Sequence, residues 1–142
     1  MKTKTLLAMG LCAAIGFLGN QTFAAEREHK DHNEGHEKVK IPDTVEDIWK
    51  EIHKHHQELA AVVKAKKLAE VHEHAFAVRD LAKALPAKAH PDHKKMVENA
   101  VKRISQIAEG LDKSGDAGNQ ATTEANLKKF DAALKNLEEH TK

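Results

Sequence analysis

Beyond Pro42 the apolar residues fall into a helical rhythm, and this constrains the chain more than any other feature. Val45, Ile48, Trp49, Ile52, Leu59, Val62 and Val63 follow spacings of three and four. That spacing marks a helix with one buried face. Thr44 is placed to cap it, with Glu46 and Asp47 in the first turn. Lys64 to Lys67 reads as a turn, and a second helix is expected from about Leu68 to Leu85, ended by Pro86. Pro91 suits the first turn of a third helix, which buries Val97, Ala100, Val101, Ile104, Ile107, Ala108 and Leu111. Ser114 to Asn119 reads as a loop. A fourth helix is expected from near Thr122, burying Leu127, Phe130, Ala133, Leu134 and Leu137. Four amphipathic helices with short connections predict an all-α, up-down-up-down four-helix bundle over residues 42–142.

Composition agrees. Aromatic residues are sparse, with no Tyr, and only 3 Pro and 7 Gly occur, which argues against a β-sandwich or barrel. Residues 1–24 read as a cleavable signal peptide. Lys2 and Lys4 form its basic start, Leu6 to Leu18 its apolar stretch, and Thr22-Phe23-Ala24 a cleavage site after Ala24. The apolar run is short and broken by Gly10, Gly16 and Gly19, which argues against a membrane span. Export to a bacterial periplasm is expected. Cys12 is the only cysteine and lies in the leader, so the mature chain would have no thiol. Thiolate zinc, iron–sulfur clusters and covalent c-type haem are then excluded. Without the leader, 21 basic side chains face 22 acidic ones, and nucleic acid is not an expected partner. Residues 25–41 are polar and charged and are expected to form a disordered tail.

The bundle region resembles the periplasmic four-helix-bundle cytochromes, the soluble b-type cytochrome and cytochrome c-prime. The resemblance rests on the hairpin from Leu59 to Val71 and on the terminal Leu137-Glu-Glu-His140. It implies the same fold and compartment, and it implies His140 as a ligand if haem b is bound. The family's first-helix Met has no counterpart, because the matching stretch reads Ile48, Trp49 and Ile52.

Histidine is the compositional outlier, with 11 residues, all after position 24. Imidazole is a ligand for zinc, copper and nickel. Three groups of candidate ligands follow. The tail carries His29, His32 and His36 among acidic residues. The first helix carries His53, His55 and His56. Relative to Ile52, His56 lies about 40° away, His55 about 60° and His53 about 100°. His53 and His56 can share an ion, with His72 or His74 of the second helix as the third ligand; His55 is expected to point elsewhere. His90 and His93 open the third helix and His140 closes the fourth, so all three are expected at one end of the bundle, joined there by a tail histidine.

No Glu-x-x-His lies on any helix, so a di-iron carboxylate site is unsupported. The serines Ser105 and Ser114 sit in no nucleophile motif, and catalysis is not expected. The leading expectation is a periplasmic protein that buffers or carries zinc, copper or nickel, working with a metal-efflux or uptake component. A haem b electron carrier, and a stress-interaction module with pH-sensing histidines, are the alternatives.

Overall fold

The computed structural model describes residues 39–141. Four α-helices follow in order: α1 (Val45–Lys64), α2 (Val71–Ala82), α3 (Lys94–Asp116) and α4 (Gln120–Glu139). Short 3-10 turns at Leu68–Glu70 and Leu85–Ala87 flank α2. No strand occurs among the described residues, and the architecture there is all-α. No described helix is long and apolar enough to cross a membrane. The signal peptide expected over 1–24 lies outside the described residues, as do His29, His32 and His36 of the tail. Of the tail only its last residues are described. Val39 packs half-buried on the core, so packing begins before Pro42.

Local chemistry sets the helix ends. Thr44 Oγ1 accepts the Asp47 N–H at 3.1 Å and caps α1. At its other end Lys66 takes the left-handed conformation with φ 60°. The Lys66 N–H donates to the Val63 carbonyl and the Lys67 N–H to the Val62 carbonyl, closing a Schellman motif. Gly118, with φ 64°, closes α3 in the same way.

Several helix boundaries differ from the sequence expectation. α2 stops at Ala82, not Leu85, because a proline disrupts the helix around the carbonyl four residues before it, and Ala82 is four before Pro86. α3 starts at Lys94 instead of Pro91; residues 91–93 form a turn in which the His93 N–H donates to the His90 carbonyl at 2.9 Å. α3 also runs on through Ser114 and Gly115, which belong to no loop. Both are buried, and Ser114 Oγ donates to the Leu111 carbonyl at 3.1 Å. α4 begins two residues earlier than Thr122, capped by Asn119, whose side chain accepts the Thr122 N–H.

The apolar faces meet in one core around Leu59, Leu81, Leu85, Ile104, Leu111 and Phe130, all fully buried. α1 packs on α2, α2 on α3, and α3 on α4. Hydrogen bonds near both ends tie α4 and the residue Thr141 beyond it back to α1. Gln120 Nε2 donates to the Val63 carbonyl at 2.9 Å, and Trp49 Nε1 donates to Thr141 Oγ1 at 2.9 Å. The start of each helix therefore lies beside the end of the other, and α1 and α4 run antiparallel. This arrangement exposes two flanks of α1, one toward α2 and one toward α4.

Candidate metal centre

The histidines of α1 divide between its two flanks. Counting about 100° per residue from Ile52, His53 and His56 fall at roughly +100° and +40°. His55 and Glu58 fall at roughly −60° and −120°. The first pair faces α4. His53 Nε2 lies 3.3 Å from Glu138 Oε1, and His56 Nε2 lies 2.6 Å from Asp131 Oδ1. The second pair faces α2, where His74 completes a group of three.

His55 Nδ1 and His74 Nδ1 each lie 3.4 Å from Glu58 Oε2. The three ligand atoms lie within 4.8 Å of one another. Ligand atoms held about 2.0–2.1 Å from a tetrahedral ion are roughly 3.3–3.4 Å apart, so both nitrogen-to-oxygen separations match tetrahedral edges. The two rings are tilted by 38°, with centroids 5.9 Å apart. Both Nδ1 atoms are buried and make no hydrogen bond. An unsatisfied buried nitrogen is costly unless something binds it.

The electrostatics favour a ligand. Burial lowers the His55 pKa below its ordinary value; Glu58 opposes the shift, while His74 and Lys54 reinforce it. A lowered pKa keeps the imidazole neutral, the form that coordinates metal. A cavity of about 770 Å³, lined in part by Asp47, Glu51, Phe76 and Asp80, reaches His55. Together the side chains offer two nitrogens and one carboxylate oxygen, which leaves a tetrahedral ion one open position.

The arrangement departs from the sequence expectation. His53 and His56 do not join His72 or His74; their carboxylate partners lie on α4. His55 does not point away from the site, and with Glu58 it supplies two of the three ligands. The size of each angle from Ile52 does not separate the two flanks of α1; its sign does. The pair His55-x-x-Glu58, which reverses the Glu-x-x-His order, is the sequence signal that marks the site. His72 lies on the far flank of α2, beside Asp112 and Asp116 of α3.

The end group does gather. The His90 and His93 ring centroids are 6.2 Å apart, and those of His93 and His140 are 6.3 Å apart. His140 Nδ1 donates to the Asn136 carbonyl at 2.7 Å, which fixes its ring. These three rings touch without meeting the spacing that unites His55, Glu58 and His74. No family model, curated protein or solved structure matches the chain.

Proposed function

We propose that this chain is a periplasmic four-helix bundle of up-down-up-down topology that binds a divalent transition-metal ion for buffering or transport. The observation that carries the reading is the convergence of His55 Nδ1, Glu58 Oε2 and His74 Nδ1 on one point between α1 and α2. Two imidazoles and one carboxylate suit zinc, copper(II) and nickel. The antiparallel α1 and α4, joined by short turns through α2 and α3, support the topology. The role is binding, and the metal is cargo. A metal-efflux or uptake component would receive or supply the ion. The histidines at the bundle end, His90, His93 and His140, would add weaker sites.

The test is a cobalt(II) titration of the full chain, freed of metal, followed by visible absorption. Wild type is expected to bind one cobalt ion with the strong absorption of a four-coordinate site. The double substitution His55→Ala and His74→Ala is expected to abolish that band. An unchanged band in the double variant would sink the reading. So would a Soret band in protein purified from the periplasm without chelators, which would make the chain a haem protein.

A further inference from the structure

α2 carries a second group of ligands on its opposite flank. His72 and His74 are two residues apart, which turns them about 200° from each other around the helix. His74 faces α1, and His72 therefore meets α3. There the ligand atoms of His72, Asp112 and Asp116 all lie within 4.8 Å of one another. His72 and Asp112 are half-buried and Asp116 is exposed, so the group sits at the surface end of the α2–α3 contact.

The backbone around this group is built for close approach. Gly115 lies between the two aspartates on α3. A Cβ at that position would meet the Leu68 carbonyl at 2.8 Å and Val71 Cβ at 3.3 Å. Only a glycine lets α3 lie this close to the start of α2, and that closeness carries Asp112 and Asp116 to His72. The two aspartates are one helical turn apart. Like charges at that spacing disfavour a helix, and a cation held between them removes the repulsion.

We infer that His72, Asp112 and Asp116 form a second divalent-cation site, separate from the His55–Glu58–His74 centre and of harder ligand character. One imidazole and two carboxylates bring two negative charges, which neutralise a divalent ion. Carboxylate-rich sets suit manganese(II) better than sites rich in imidazole do. The two sites share no side chain, so they fill independently. The inference does not rest on the function proposed for the α1–α2 centre. A chain with both sites would bind a borderline ion on one flank of α2 and a harder ion on the other.

The test is a manganese(II) titration of the full chain, freed of metal, read by the electron paramagnetic resonance signal of the unbound ion. Wild type is expected to bind one manganese(II) saturably. The double substitution Asp112→Asn and Asp116→Asn is expected to weaken binding at least tenfold, as is His72→Ala alone. The His55→Ala, His74→Ala protein is expected to keep it. Circular dichroism checks that each variant remains helical, and His72→Ala serves if the aspartate pair does not fold. Saturating manganese is also expected to raise the melting temperature of wild type and not that of the aspartate variant. No saturable binding by wild type would overturn the site. Equal affinity in the aspartate variant would do the same, because the ion would then sit elsewhere. If cobalt binding ignores His55 and His74 while manganese behaves as described, the α1–α2 reading fails and this one stands.

Discussion

His55 and His74 come from different helices, yet each presents Nδ1 to the same oxygen of Glu58 at 3.4 Å. The α1–α2 hairpin creates this relationship. Neither nitrogen has a hydrogen bond, and the His55 side chain is only 18% exposed.

Ligand and non-ligand histidines on α1 should separate cleanly under substitution. His55→Ala or His74→Ala is expected to weaken cobalt or zinc binding by more than about tenfold, since even outer-shell changes cost about 10–100-fold. His56→Ala should leave that affinity unchanged. It removes a partly exposed pair with Asp131 and should lower stability by about 0.2–1 kcal/mol. Calorimetric metal titration and urea unfolding of the three proteins would check both outcomes.

The lowered His55 pKa makes stability depend on pH. Burial is its first cause, opposed by Glu58 and Glu51 and aided by His74 and Lys54. Unfolded, His55 takes up a proton near its ordinary pKa of 6.5; folded, it resists until the pH is lower. In that interval the unfolded state binds more protons, so stability is full above 6.5 and falls as the pH drops. His55→Gln should remove this loss. His53 and His56 remain in both proteins, so their pairs with Glu138 and Asp131 largely cancel in the comparison. Melting temperatures at about pH 7.5 and 5.5 should fall further for wild type than for the variant. A gap between the proteins that ignores pH would count against the burial argument.

Two glycines of α3 should respond with opposite signs. A Cβ at Gly110 would meet the Asn126 side chain at ordinary contact distance, with Nδ2 at 3.4 Å, so Gly110→Ala should stabilise by up to about 1 kcal/mol through helix propensity. Gly115→Ala drives a methyl to 2.8 Å from the Leu68 carbonyl and should destabilise by about 1–3 kcal/mol. Urea midpoints of both variants decide this.

Asp80 should stabilise α2 at neutral pH and not in acid. Burial acts to raise its pKa, but the hydrogen bond and charge of Arg79, with Lys83, outweigh it and hold the carboxyl below its ordinary value. Arg79 is itself stacked 4.2 Å from the Phe76 ring centre. Asp80→Asn should cost about 0.2–1 kcal/mol at pH 7. A depressed pKa gives stability that is present above the unfolded value of 3.8 and lost as pH falls through the folded value. The difference from wild type should therefore shrink toward zero below that range in acid-unfolding curves.

Much of the fold is legible in the residues. The apolar stripe of α1, the Thr44 cap and the turn beyond Lys64 follow from spacing and side-chain chemistry that act within a few residues. Ser114 and Gly115 are harder to read. Serine and glycine favour loops locally, and only the contact with Leu68 and Val71 makes a helical glycine advantageous there. The end cluster of His90, His93 and His140 follows from helix order alone, because alternating helices bring those termini together.

The sequence by itself determined where helices form, which faces they bury, and that His55 and Glu58 lie on the flank of α1 opposite His53 and His56. Helix geometry fixes that division. Which flank meets which neighbour was decided only in the tertiary structure. The same stripe of Ile48, Ile52 and Leu59 is buried whichever side α2 takes, so hydrophobic burial does not choose. The hand of the packing, set by the Lys66 turn and the return of α4 to α1, gives His55 and Glu58 to His74 and leaves His53 and His56 to Glu138 and Asp131.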